Sequence, residues 1–233
     1  MKPLSLLFLF TLMVNSLSAQ MINATSGAES EMTLKTSSGD IFGTLSVAGK
    51  GEKTPVVLII AGSGPTDRDG NSVLGVKADS YKMISQTLAQ NGISSLRYDK
   101  RGIAKSRAAM KSESELTFEM YINDVVNWVN LLKNDSRFTS VYILGHSEGS
   151  LIGMVAALRT GAAGFISVAG AGKPADQILQ EQLKTKLPFN LLIENNRILD
   201  SLKAGKTVSN VDPALASLYR PSVQPYMISW LRY

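Results

Sequence analysis

The distribution of apolar residues divides the chain into four textures. Leu4 to Val14 is one short apolar run, and Gln20 to Ser30 is small and polar. From Glu31 to Val47, Met32, Leu34, Ile41, Gly43, Leu45 and Val47 flank a turn at Ser37-Ser38-Gly39-Asp40, which predicts a hairpin. Strand and helix patterns then alternate. Val56 to Ile60 is continuous, apolar and β-branched, as in a strand buried on both faces. Ala78 to Gln90 reads as a helix ended by Asn91-Gly92, with glycine supplying the left-handed cap. Ile93 to Tyr98 is the next strand. Phe118, Tyr121, Ile122, Val125, Val129 and Leu132 fall on one face of a helix predicted over Thr117 to Lys133, with Thr117 and Glu119 suited to its start. Val141 to Leu144 is a strand, Leu151 to Arg159 a helix and Gly164 to Ala169 a strand. This alternation predicts an α/β protein with a mostly parallel sheet covered by helices on both sides. After Gly172 the strand signal fades. Lys173 to Ala204 reads as one long helical stretch, and Pro213, Pro221 and Pro225 cut the tail into short pieces.

The first run changes the picture of where the protein works. Lys2, the apolar Leu4 to Val14 and the small Ala19 before Gln20 form a signal-peptide pattern, too short to span a bilayer. Export to the periplasm or beyond is the expectation, with residues 1–19 removed and no membrane span in the mature protein. The chain has no cysteine and one histidine, which excludes a thiolate nucleophile, a lipid-anchoring cysteine and a multi-histidine metal site. Without Lys2, 23 basic side chains stand against 19 acidic ones, a mild excess. The densest basic stretch, Arg97 to Lys111, has no aromatic residue interleaved beyond Tyr98. It reads as a solvated loop, with no nucleic acid as a partner.

Chemistry concentrates at Gly145-His146-Ser147-Glu148-Gly149, a G-x-S-x-G string set between a strand and a helix. Turning from strand to helix at one residue forces that residue into a strained conformation and lifts its hydroxyl above the sheet. A Cβ at 145 or 149 would collide with the neighbouring strand or helix. Ser147 is therefore the candidate nucleophile. The backbone N–H of Glu148, at the helix N-terminus, is a candidate donor to a developing oxyanion. Acyl transfer needs a second donor. Ala61-Gly62-Ser63-Gly64-Pro65 follows the strand ending at Ile60, and Ser63 is the candidate there. The bare glycine pattern also admits a nucleotide loop, but Asp67 stands where a third glycine would, and no P-loop lysine follows. Asp67-Arg68-Asp69-Gly70-Asn71 lacks the ligand spacing of a calcium loop and reads as a hydrogen-bonded turn. Asp99-Lys100-Arg101-Gly102 falls at the expected carboxyl edge of the sheet, where it fixes a loop or lines the site. His146 points away from its neighbour on a sharp elbow and reads as a packing or hydrogen-bonding residue. Glu148 reads as structural in its side chain, with a possible role in tuning the pocket.

Together, "AGSGPTDRDGN" at 61–71, "LRYDKRGIAKS" at 96–106 and "ILGHSEGSLIG" at 143–153 resemble the serine aminopeptidase-like branch of the α/β-hydrolases, which includes bacterial lidded esterases. The likeness spans about residues 32–233 and departs at Ala104, where similar sequences often carry glycine. It implies an α/β-hydrolase core over 20–172 and a helical lid over 173–233. It also implies a serine hydrolase of esters, with Ser147 as nucleophile and Ser63 and Glu148 at the oxyanion hole. The family takes its acid and histidine, in that order, from strands and loops after the lid. This sequence ends before them, so the resemblance implies either a fragment of a longer protein or a natural truncation with no catalytic base. No cofactor is expected, and the partner is a small ester or amide. An aminopeptidase or other amidase shares the elbow, and a non-catalytic, hydrolase-like binding protein is the alternative of another class.

Overall fold

The computed structural model describes residues 28–49 and 51–233, so the N-terminal leader reading lies outside the described residues. The hairpin forms as the alternation predicts: β1 (Ala28–Thr36) pairs antiparallel with β2 (Gly39–Val47) around a tight turn. Then follow β3 (Thr54–Ile60), α1 (Ser80–Gln90), β4 (Ser94–Tyr98), α2 (Phe118–Lys133), β5 (Phe138–His146), α3 (Glu148–Thr160) and β6 (Gly164–Val168). The sheet order is β1-β2-β4-β3-β5-β6; β4, β3, β5 and β6 run parallel.

The unbroken apolar run in β3 follows from its central place. Val56, Leu58 and Ile60 face the main core with Ile122, Val125 and Val129 of α2 and Ile152 of α3. Val57, Ile59 and Ala61 face a second cluster with Tyr81, Ile84 and Leu88 of α1. A strand covered on both sides cannot alternate apolar with polar. Gly92 closes α1 at φ 75°, and Ile93 N–H returns to Leu88 C=O at 3.0 Å. Thr117 occupies the N-cap of α2 without a side-chain capping bond.

This arrangement places the chemistry. From β3 the chain moves to β4 on one side, and from β5 to β6 on the other. The carboxyl ends of β3 and β5 therefore flank a topological switch point, the place where open α/β sheets hold their ligands.

Residues 173–233 are helical where they are regular: α4 (Ala175–Lys184), α5 (Phe189–Lys203), α6 (Ala216–Tyr219) and α7 (Gln224–Trp230). One expectation is corrected. Lys173 to Ala204 is two helices, broken over residues 185–188. Pro188 has no N–H to continue a helix, and its ring disfavours helical backbone at Leu187. These helices share the main core through Leu179, Ile198, Leu199, Leu202, Leu215, Tyr219, Tyr226 and Met227. Phe118 is surrounded by Tyr226, Trp230 and Tyr233, and its N–H donates to Ser229 Oγ at 2.8 Å.

Candidate active site

Ser147 ends β5 and caps α3 with φ 52° and ψ −120°, a conformation an L-residue adopts only under compulsion. The compulsion comes from close packing. An added Cβ at Gly145 would lie 2.2 Å from Gly149 O, and one at Gly149 would lie 2.6 Å from the carbonyl oxygens of Ile60 and Ala61. Ser147 N–H donates to Val168 O at 2.9 Å, which ties the turn to the end of β6. Ser150 Oγ donates to Gly145 O at 2.5 Å from within α3. The backbone at 147 is thus held from three sides, and the Ser147 side chain is half-buried.

The loop after β3 reaches the same point. A Cβ on Gly62 would sit 3.3 Å from Ser147 Cβ and 3.0 Å from His146 Nδ1. Ser63, next in the chain, is exposed, and Gly64 takes φ 79°. The structure thus brings together the two loops that carry Ser63, Ser147 and Glu148.

His146 is engaged elsewhere. Its Nδ1 lies 2.8 Å from Tyr81 Oη, whose oxygen also accepts from Gly62 N–H at 3.2 Å. Burial raises the Tyr81 pKa, and the Gly62 bond opposes it more weakly. The phenol therefore keeps its proton, and its contact with Nδ1 is a hydrogen bond between a neutral hydroxyl and the imidazole ring. His146 acts here as a hydrogen-bonding residue. Tyr81 carries no local sequence signal for this role, because its partners stand 19 and 65 residues away along the chain.

The greatest departure from the sequence reading concerns the basic stretch. Arg97, Lys100 and Arg101 are buried, not solvated. Asp99, Lys100 and Arg101 leave the end of β4 in three directions, each to an opposite charge. Asp99 takes Arg68 in the loop after β3, with Nη2 at 2.6 Å and the Arg68 N–H at 2.8 Å. Lys100 Nζ meets Glu148 Oε1 at 2.9 Å. Arg101 pairs with Asp124 of α2 through two nitrogens, at 2.6 and 3.1 Å. Arg97 is held by Asp69 and Glu29. Partners distant in sequence, invisible to a local count of charge, make these cations affordable inside. Lys105, Arg107 and Lys111 stay outside the core.

Lys100 also donates to Gly62 O at 2.6 Å and lies 5.0 Å from the centre of the Tyr121 ring. Burial, then the nearby Glu148 charge, raises the pKa of Tyr121 and of Tyr226. Both phenols remain neutral at physiological pH. The Tyr226 hydroxyl is buried with no hydrogen bond of normal geometry. The Asp67 turn forms as expected, its Oδ1 accepting from Asp69 N–H at 2.9 Å and Asn71 N–H at 2.8 Å. Ala104 takes φ 41°, the left-handed region that explains the preference for glycine there. Among the described residues no group of three or more His, Cys, Asp or Glu side chains is arranged to hold a metal ion.

Residues 74–226 match the serine aminopeptidase (S33) family of hydrolases. Esterase EstD of Thermotoga maritima is 32% identical over 153 residues, which is 64% of this chain and 35% of that protein. The chain thus spans about a third of the length of the curated relative it matches. Two solved structures share the fold. The α/β-hydrolase GrgF from Penicillium sp. sh18 has a TM-score of 0.56 at 19% identity, covering 88% of this chain and 73% of that one. A highly thermostable carboxyl esterase from Bacillus coagulans has a TM-score of 0.53 at 13% identity, covering 88% and 72%. The fold is that of an α/β-hydrolase, and the chain belongs to the serine aminopeptidase (S33) family.

Proposed function

We propose that this member of the S33 family is part of an exported serine hydrolase that cleaves small carboxylic esters through an acyl-enzyme on Ser147. The observation that carries the reading is the strained Ser147 turn at the switch point, with the Gly62–Ser63 loop packed against it. Ser147 Oγ attacks the ester carbonyl. The N–H groups of Ser63 and Glu148 bind the oxyanion, and collapse expels the alcohol. Water then releases the acid by the same route. His146 Nδ1 is tied to Tyr81, so the reading does not use this histidine as the base; the family resemblance assigns the base and its acid to strands and loops after the lid. The helices of 173–233 would serve as the lid. Esters are favoured by the likeness to a named esterase, and amides by the family's description as serine aminopeptidases.

In the full-length protein, Ser147→Ala is expected to lower turnover of a short-chain nitrophenyl ester at least ~10³-fold with the fold intact. Near-normal activity in that variant would refute Ser147 as nucleophile. A nitroanilide assayed alongside separates the two substrate classes: faster release from the anilide than from the ester would favour the peptidase reading. Export rests on the leader pattern, and the mature protein should begin near Gln20. Exported protein that retains Met1 by mass spectrometry would overturn it.

A further inference from the structure

Lys100 is a costly choice of core residue. Its side chain is 2% exposed, and the desolvation of a buried ammonium must be offset by partners for its protons. Apolar residues of the same size would fill the space more cheaply. Its partners are specific: the Gly62 carbonyl at 2.6 Å, the Glu148 carboxylate at 2.9 Å and the face of Tyr121. Glu148, 7% exposed in its side chain, supplies the opposite charge beside it.

Two of those partners belong to residues whose backbones matter most. The Gly62 C=O and the Ser63 N–H are the two ends of one trans peptide unit and point in opposite directions. Whatever fixes the carbonyl fixes the N–H. Turning that peptide over rotates ψ of Gly62, which has no Cβ to limit it, and φ of Ser63, whose Cβ alone resists the turn within the loop's own chain. The Gly62 N–H is tied to Tyr81, but that bond belongs to the preceding peptide unit. On the far side of the ammonium, Glu148 holds α3 by its first residue, whose N–H is the other candidate donor.

We propose that Lys100 is the positioning residue of the oxyanion hole: its buried ammonium clamps the Gly62 carbonyl to the Glu148 carboxylate and so keeps the Ser63 and Glu148 N–H groups aimed at one point above Ser147. The inference rests on the serine-hydrolase reading. It adds that the hole is assembled across two loops by a side chain from a third element, the end of β4. Lys100 touches no reacting atom. Its effect should fall on the transition state, where the oxyanion forms, and spare ground-state binding.

The test uses the full-length protein and an aryl ester. Lys100→Met should lower kcat about 10- to 100-fold, less than outright removal of a donor, with KM changed less than about threefold. Affinity for an arylboronic acid, whose serine adduct places an anionic oxygen in the hole, should fall by the same factor as kcat/KM. Lys100→Met also strands a buried carboxylate, so the deciding variant is Lys100→Met with Glu148→Gln, which removes the charge but keeps the Glu148 backbone. That double variant should regain thermal stability without regaining kcat. Recovery of kcat with stability would mean that Lys100 only neutralises Glu148, and the inference would fall. Full kcat in Lys100→Met would overturn it as well. Ser147→Ala keeps the two readings apart. If it is inactive while Lys100→Met is fully active, only the positioning role is lost; if it is active, the serine-hydrolase reading fails first.

Discussion

The elbow region and the helices after Gly172 sit in one fold but are held by different forces. Around Ser147 the fixing contacts are backbone approaches and buried polar tethers: Gly145 against Gly149, Gly62 against the elbow, Lys100 between two loops. In α4 to α7 the contacts are mainly apolar, through Ile198, Leu199, Leu202, Leu215 and Tyr219, with charged pairs at the rim. A packed apolar face absorbs small shifts at a graded cost. A backbone carbonyl 2.2 Å from a would-be Cβ does not. Precision of position thus belongs to the first region, and bulk stability is shared with the second.

The sharpest way to break this contrast is Gly145→Ala. The added carbon meets main-chain atoms of Gly149 and Ser150, so the elbow must open. A loss of about 3 kcal/mol is expected, at the upper end for overpacking, together with loss of ester turnover in the full-length protein. Urea unfolding and a rate assay check both. An active, equally stable variant would show that the elbow is not locked. Next is Ile198→Ala in α5, fully buried in the main core. It should lower stability by about 2–5 kcal/mol while leaving kcat of the folded fraction within about twofold. A large fall in kcat would mean that the helical segment shares in positioning Ser147.

The smallest effect tests the rim. Arg220 and Ser222, near α7, hold Glu113 beside the start of α2. The Arg220 guanidinium, more than Ser222, pulls the Glu113 carboxyl below its usual 4.5, against the weaker opposing effect of burial. A carboxyl depressed on folding stabilises above its unfolded pKa, and the gain fades as pH falls through the folded value. Solvent screens this exposed pair, so Glu113→Gln should cost only ~0.5 kcal/mol at pH 7 and almost nothing at pH 3. A difference that persists at pH 3 would show that charge is not the cause.

How much could be read in advance differs between these regions for the same reason. The strand before Gly145 and the helix after Gly149 made Ser147 legible, because the motif and its frame are contiguous. Ser63 was a candidate from its place after an apolar strand. Lys100 is legible only as part of a string that fixes a loop or lines the site, and Tyr81 not at all, since their roles depend on partners at 62, 146 and 148. Arg97, Lys100 and Arg101 looked like solvated charge for the same reason. Pro188 marks the break between α4 and α5, but the helix-forming residues on both sides of it give one continuous helical signal.

The sequence by itself determined the alternation of β3 to β6 with α1 to α3, the doubly covered central strands and the glycine-flanked serine. Periodicity and steric exclusion act over a few residues and leave their mark in the order of side chains. Only the tertiary structure decided that three consecutive charged residues at the end of β4 turn inward, and that one of them joins two loops across Ser147. Burying a charge depends on which opposite charge and which carbonyl lie within about 3 Å of it. For Lys100 those partners stand 38 and 48 residues away along the chain, brought close only when β3, β4 and β5 take their order in the sheet.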